Sequence, residues 1–489
     1  MVRLKMNREE FAYDCISLIK AFYPKEKILL HGDDEGVTTE IVLDRFLEGN
    51  VHEIRMTLSE EQTTRKSRFV TIEGDENSLE NKRLLRMAYK DLIYEVLSEA
   101  KQETLPWGTL TGVRPTKLPY SWYQEGMTET EAVNRLMTEY RVSPEKAQTA
   151  AQIAMTEREL FAGIDVSKEI SIYIGIPFCP TTCLYCSFTS YPIAEYQNLT
   201  EAYLSCLFRE IQAVSQMTKG RKVTAIYIGG GTPTSLTADQ LRRLLHTVRE
   251  NFDLKTVREF TVEAGRPDSV DFEKLLVLKE EGVTRISINP QTMKQETLDL
   301  IGRRHSVEDV RRAFALAREA GHDNINMDLI LGLPGENADD VSATLSEIAT
   351  LSPEDLTVHT LALKRASRLV REIDRYEDLT PTDTVESLQR TITFAKEHGY
   401  RPYYLYRQKN MAENLENVGY AKPGHEGLYN ILIMEEMQTI LACGAGATSK
   451  FVYPEQNRIE RADNVKSIRD YIERIDEMID RKRRMPLGG

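Results

Sequence analysis

The 489-residue sequence predicts an α/β protein: a partial (β/α)6, TIM-like barrel with a small α+β N-terminal domain before it and an α+β C-terminal domain after it. Between residues 169 and 375, six apolar, β-branched runs alternate with segments of helical periodicity, the pattern of βαβ units around a parallel sheet. Outside that stretch the alternation stops. Three of the chain's six cysteines fall within eight residues just after the first run, where a barrel strand delivers its loop to the functional end.

Residues 1–100 read as a small α+β unit. A helix over 8–22 precedes short β-rich runs at Ile28–His31, Thr38–Leu43, Val51–Leu58 and Arg68–Ile72, and a helix over 78–99 follows. Residues 101–168 hold a loop from Pro106 to Lys117 and helical patterns to Ala162, a helical connector. The barrel region, 169–375, has its runs at Glu169–Ile176, Val223–Gly229, Glu259–Ala264, Thr284–Asn289, Asn324–Leu331 and Asp355–Leu361. Residues 376–489 give a helix over 383–398, an aromatic strand at Arg401–Arg407 and a charged helix over 464–484, and are expected to cover the substrate.

A hydrophobic content of 41% and a charged content of 28% are those of a globular chain. A net charge of −13 argues against general nucleic-acid or anionic-membrane binding. No apolar stretch is long enough to span a bilayer and no leader pattern opens the chain, so a cytoplasmic location and a monomer are expected. Cys15, Cys206 and Cys443 are isolated in apolar contexts and read as buried free thiols.

Cys179, Cys183 and Cys186 have C-x3-C-x2-C spacing. Three soft thiolates so placed suit three irons of a four-iron cube, leaving the fourth iron open to a ligand. A zinc site would need a fourth ligand, for which Cys206 and His246 are the next candidates, and a disulfide with a spare thiol would suit a secreted protein.

Further motifs follow in order: Ile228-Gly229-Gly230-Gly231-Thr232-Pro233-Thr234, Phe260-Thr261-Val262-Glu263-Ala264, Pro290-Gln291-Thr292, Gly302-Arg303-Arg304-His305, Asn326-Met327-Asp328-Leu329-Ile330 and Gly332-Leu333-Pro334-Gly335. With the cysteine loop, the Trp107–Lys117 loop and the stretches from Tyr404 and Asn414, the chain resembles the radical S-adenosylmethionine (SAM) family of oxygen-independent coproporphyrinogen III oxidases, in its HemZ-type branch. The resemblance implies a radical SAM barrel with a [4Fe-4S] cluster on Cys179, Cys183 and Cys186. It implies SAM contacts at Tyr173, Gly230, Gly231, Thr232, Glu263, Gln291, Arg303 and Asp328, with Tyr173 also catalytic.

These residue types suit the task. A glycine turn admits backbone close to a ligand, carboxylates bind hydroxyls or an ammonium, Gln both donates and accepts, and Arg clamps a carboxylate. The implied reaction is oxidative decarboxylation of two propionates of coproporphyrinogen III to vinyl groups, with a flavodoxin- or ferredoxin-like electron donor. For the propionates of such a tetrapyrrole, candidate cations are Arg114, Lys117, Arg365, Arg368, Arg407 and Lys409. Phe178 and Leu184 are expected to shield the cluster and Tyr185 to pack its loop.

The chain departs from the family pattern at three places. Gly175 stands where relatives commonly have His, Phe188 where many have a fourth cysteine, and Tyr429-Asn430 with Met434 replace a His-Asn-x-x-Tyr-Trp pattern. Two other activities therefore stand beside the oxidase: a heme chaperone, and a radical SAM methyltransferase that opens heme anaerobically.

Overall fold

Alternating burial along short strands builds the first part of the computed structural model, which describes residues 1–32, 36–361, 367–371, 383–407 and 415–487. Two units result, Met1–Met155 and Thr156–Gly489. In the first, β1 (Val2–Met6), β2 (Ile28–Leu30), β3 (Thr39–Glu48), β4 (Val51–Ser59) and β5 (Thr63–Thr71) form one sheet in the order β2-β1-β3-β4-β5. Val2, Leu4, Ile41, Leu43, Ile54, Met56 and Leu58 point to one face, where Leu18 and Ile19 of helix Ala12–Phe22 and Leu92, Ile93 and Leu97 of helix Leu79–Lys101 bury them. Strand β1 lies outside the predicted runs, and β5 begins earlier than predicted, because its exposed alternate positions are polar.

The second unit carries the six predicted barrel strands: β6 (Ile170–Ile176), β9 (Val223–Gly230), β10 (Glu259–Glu263), β11 (Arg285–Ser287), β12 (Ile325–Leu331) and β13 (Asp355–Thr360). All pair in parallel, in chain order. A short parallel pair, β7 (Phe178–Cys179) with β8 (Tyr191–Pro192), holds the cysteine loop. Capping boxes at Thr237/Gln240, Ser306/Asp309 and Asn337/Asp340 start three of the crossover helices, each cap contributing about 1 kcal/mol.

The sheet does not close on itself. Beyond β13 it continues through β15 (Asn417–Ala421) to β14 (Arg401–Tyr406), both antiparallel additions. Beyond β6 it continues through β16 (Thr439–Cys443), parallel to β6, to β17 (Thr448–Tyr453) and β18 (Arg458–Asp463). The fold is thus the α/β partial barrel that the sequence predicts, although β16 to β18 lie outside the predicted runs. The helix expected over 464–484 is two helices, Ile468–Glu473 and Ile475–Arg483, with Arg474 between them at φ −114° and ψ 24°. Asn464 is drawn instead into a buried bond with Glu210.

Helix Leu428–Glu435 meets the N-terminal ends of the barrel strands. Glu259, which opens β10, accepts from the Leu428 and Tyr429 amides at 2.5 and 3.4 Å. Arg285, which opens β11, pairs with Asp355 at the start of β13, and Tyr403 donates to the same carboxylate. Tyr429 stacks on Tyr227 and Tyr173. The opposite, C-terminal strand ends carry the cavity.

Candidate functional site

Each barrel strand ends in a residue or turn that faces one cavity of about 250 Å³. Its walls include Cys179, Cys183 and Cys186 after β6, Gly230, Gly231 and Thr232 after β9, Glu263 at the end of β10, Gln291 after β11, Arg303, and Asp328 on β12. Tyr173 is not among the lining residues. It stacks beside the Tyr227–Tyr429 pair at centroid distances of 6.2 and 6.3 Å, and its hydroxyl would meet a Cβ placed on Gly230 at 3.3 Å.

The cysteine loop is fixed from several sides. The Leu184 amide donates to the Ile301 carbonyl at 2.9 Å, and the Leu184 carbonyl accepts from Leu369 at 3.0 Å. The Leu184 side chain is buried with Leu298, Ile301, Ile330 and Leu333. Phe178 is wholly buried and packs edge-on against Tyr203. Thr232 Oγ1 donates to Cys179 Sγ at 3.4 Å, and Arg266 Nη1 to Cys183 Sγ at 3.5 Å. Burial pushes the Cys179 thiol up to about 12, against the Thr232 bond that lowers it; a bound metal would remove that proton.

Among the described residues no three His, Cys, Asp or Glu side chains gather around a point suited to one metal ion. Ligands to separate irons of a cube need not meet at one point. Neither other zinc candidate joins them: Cys206 donates to the Ile472 carbonyl at 3.7 Å, and His246 pairs with Glu250 at 3.0 Å. Cys15, Cys206 and Cys443 are buried free thiols, as expected.

The glycine turn leaves no room for side chains. A Cβ on Gly231 would lie 2.6 Å from the Phe178 carbonyl oxygen, and one on Gly229 2.7 Å from Glu263 Oε1. Gly230 has φ +109°, a conformation that suits glycine. Glu263 accepts from Tyr227 Oη at 2.6 Å. Burial pushes its carboxyl up to about 7; the Tyr227 bond opposes this and nearby Asp328 adds to it.

Asp328 accepts from Asn289 Nδ2 at 2.8 Å and Asn326 Nδ2 at 2.7 Å. Gln291 combines φ +69° with a buried Oε1 that has no hydrogen-bond partner among the described residues. Arg303 donates to the Gly265 and Asn289 carbonyls, while its buried Nε likewise has no such partner. Amide, guanidinium and carboxylate groups thus converge beside a glycine cradle. They can hold a zwitterionic, hydroxyl-bearing ligand such as SAM next to an iron–sulfur cluster on the cysteines.

The cavity continues to His359, Thr360, Leu361, Tyr406 and Asn417 at the β13 end. His359 Nε2 lies 3.9 Å from Asp328 Oδ2, and Tyr406 Oη 3.4 Å from His359 Nδ1. Neither His359 nor Arg266 figures in the sequence reading, although His359 lies at the C-terminal end of β13 and Arg266 follows β10. Of the candidate cations, Arg407 is buried beside Tyr406, Arg368 is exposed, and Arg114 and Lys117 belong to the first unit. Arg365 and Lys409 lie outside the described residues.

Phe188 lines the cavity and is 70% exposed. Gly175 lies away from it: a Cβ there would meet the Cys443 carbonyl and the Tyr173 ring at 3.4 Å and the Ala447 methyl at 3.8 Å. The Gly444–Gly446 turn is packing rather than a ligand cradle, since a Cβ on Gly444 would lie 2.3 Å from the Gly175 carbonyl oxygen.

Residues 173–348 match the radical SAM superfamily. The chain is 46% identical over 385 residues to the oxygen-independent coproporphyrinogen-III oxidase-like protein HemZ of Bacillus subtilis, covering 78% of this chain and 76% of that one. It is 34% identical over 280 residues to the heme chaperone HemW of the same organism, covering 57% and 70%. Among solved structures, coproporphyrinogen III oxidase (HemN) of Escherichia coli, a radical SAM enzyme, superposes with a TM-score of 0.52 at 25% identity, covering 66% of this chain and 72% of that one.

Proposed function

The chain belongs to the oxygen-independent coproporphyrinogen III oxidase-like family of HemZ, within the radical SAM superfamily and with its [4Fe-4S] and SAM cofactors, and from that premise we propose that it oxidatively decarboxylates two propionates of coproporphyrinogen III, giving protoporphyrinogen IX. One observation carries the reading: the cavity that collects the three cysteines and the polar groups suited to SAM extends past Asp328 to His359, Tyr406 and Asn417. These residues offer a second ligand a wall beside the groups suited to SAM. When bound, the cofactors would supply a 5′-deoxyadenosyl radical able to take a hydrogen atom from a propionate β-carbon; loss of CO2, with one electron passed to an external one-electron acceptor, would then leave a vinyl group.

The protein's own residues bind and orient. Cys179, Cys183 and Cys186 hold the cluster, with Phe178 and Leu184 shielding it from water. The Gly230–Thr232 turn and Arg303 take the amino-acid end of SAM, while Glu263, Gln291 and Asp328 take its ammonium or hydroxyls. Tyr173 acts through Gly230, whose backbone it backs. The His359 wall aligns the propionate with the radical carbon, where a small misplacement would cost rate. A flavodoxin- or ferredoxin-like protein supplies the electron.

The test is an anaerobic assay of reconstituted protein with SAM, a reductant and coproporphyrinogen III. Vinyl product with deoxyadenosine is expected, and Cys183→Ala should abolish both. Deoxyadenosine without vinyl product would overturn the oxidase reading, and tight heme binding without decarboxylation would point to the chaperone activity.

A further inference from the structure

Arg266 lies three residues beyond Glu263, in the turn after β10, and its side chain is 3% exposed. A guanidinium so deep needs a partner for its charge. Asp268 provides one as a fork, accepting from Nε at 2.8 Å and Nη2 at 2.7 Å. The remaining donors turn to the cysteine loop: Nη2 reaches Thr181 Oγ1 at 3.1 Å, and Nη1 reaches the Thr181 carbonyl at 3.2 Å and Cys183 Sγ at 3.5 Å. The plane of the group is thus fixed by the carboxylate, and one N–H is left aimed at sulfur.

The three sulfurs are treated unequally. Cys179 accepts from a neutral hydroxyl, Thr232. Cys186 accepts from the Phe188 amide and the Ser190 side chain, also neutral. Cys183 is the sulfur that accepts directly from the Arg266 guanidinium, while Arg266 also acts at longer range on Cys179, and Arg303 on Cys183 and Cys186. A donor and a positive charge on a cluster sulfur favour the more negative, reduced state, because the added electron density is shared with the ligand.

We propose that Arg266, held by Asp268, is a positioning residue that sets the reduction potential of the cluster through Cys183, making the cluster easier to reduce. The proposal rests on Cys183 being a cluster ligand. Its consequence is that the protein relies on a fixed internal cation to bring the cluster within reach of its electron donor.

The experiment is an anaerobic redox titration of the reconstituted full-length protein, followed by electron paramagnetic resonance, with iron and sulfide measured on each sample. In Arg266→Met the reduced-to-oxidised ratio at a fixed poise should fall about tenfold, which is about 59 mV for a one-electron couple. Arg266→Lys keeps the charge but not the fork, and should shift the ratio in the same direction by less. Asp268→Asn should behave like the Lys variant.

An unchanged potential in loaded Arg266→Met protein overturns the proposal. If that variant holds no iron, the other two decide: an unchanged potential in both, or loss of iron from all three, makes Arg266 a loop staple only. A Cys183→Ser variant that keeps a normal cluster and spectrum would instead remove the ligand assignment. The two failures are therefore distinguishable.

Discussion

Two buried polar clusters lie near the cysteine loop, and they are finished to different degrees. In the first, Glu210 accepts from Asn464 Nδ2 at 2.9 Å, Lys482 Nζ at 2.6 Å, the Gly444 amide at 2.7 Å and Tyr471 Oη at 2.6 Å. Lys482 also donates to Asn464 Oδ1 at 2.7 Å, and both charged side chains are fully buried. Through Tyr203, which accepts from the Ala445 amide and donates to the Gly175 carbonyl, this cluster ties the C-terminal helix to the strand that delivers the cysteines. In the second, around the cavity, Gln291 Oε1 and Arg303 Nε have no hydrogen-bond partner among the described residues. A cluster that satisfies itself holds the fold, whereas one that does not is built for something else to complete it.

The comparison breaks first if the satisfied cluster proves dispensable. Lys482→Met leaves the Glu210 carboxylate buried and uncompensated, and should destabilise the second unit by about 3–5 kcal/mol. Both tryptophans, Trp107 and Trp122, belong to the first unit. The loss is therefore followed by hydrogen exchange or circular dichroism rather than tryptophan fluorescence. A change under about 1 kcal/mol would mean that the pair does not anchor the C-terminal helix.

The cavity should respond in the opposite sense. Burial raises the Glu263 carboxyl from 4.5 to about 7. Below pH 4.5 the group is neutral in folded and unfolded states alike and costs nothing. As pH rises toward 7 the unfolded chain has released its proton while the folded chain retains it, so stability falls. Above pH 7 the penalty is constant, at most about 3 kcal/mol for a shift of this size in a half-buried group. Glu263→Gln removes it, so the variant should gain on the wild type between pH 5 and 8 in denaturant titrations while binding SAM more weakly. A pH-independent difference would place the carboxyl in a more polar setting.

The same contrast explains what could be read from the sequence. Buried parallel strands are apolar nearly throughout, and so β6 and β12 stand out within a residue or two of their ends. Strand β16 is also apolar, but its place beside β6 depends on partners such as Ser171 and Gln438, which are 267 residues apart. No local pattern encodes that pairing. The polar alternation of β18 hides it further.

The cavity residues were legible where they sit in motifs at strand ends: the cysteines, the glycine turn, Glu263, Gln291, Arg303 and Asp328. Arg266 was not, because its meaning comes from Asp268 and Cys183 and not from its neighbours Gly265 and Pro267. The rule that chemistry gathers at and just beyond the C-terminal ends of barrel strands would have marked both Arg266 and His359. Tyr173 was placed at the cavity by its motif, and the structure puts it in a tyrosine stack behind Gly230.

The smallest expected effect is the sharpest test of what the cavity stores. Most non-glycine residues with positive φ cap helices, as Gln102, Arg141, Ser352 and Glu436 do. Gln291 is different: it lies between β11 and the next helix, bridged to Leu329, with its amide and carbonyl bonded to the Asp328 carbonyl and the Ile330 amide. Those bonds hold φ at +69°. Gln291→Ala and Gln291→Gly both remove the side chain, so both should lose SAM affinity to a similar extent. They differ in the backbone. Alanine keeps the left-handed strain and glycine relieves it, so the glycine variant should be the more stable by about 1 kcal/mol, the reverse of the order at an ordinary position. Equal stabilities would mean that the strain is absent and that unpartnered side-chain atoms such as Gln291 Oε1 and Arg303 Nε are what distinguish this cluster from the one around Glu210.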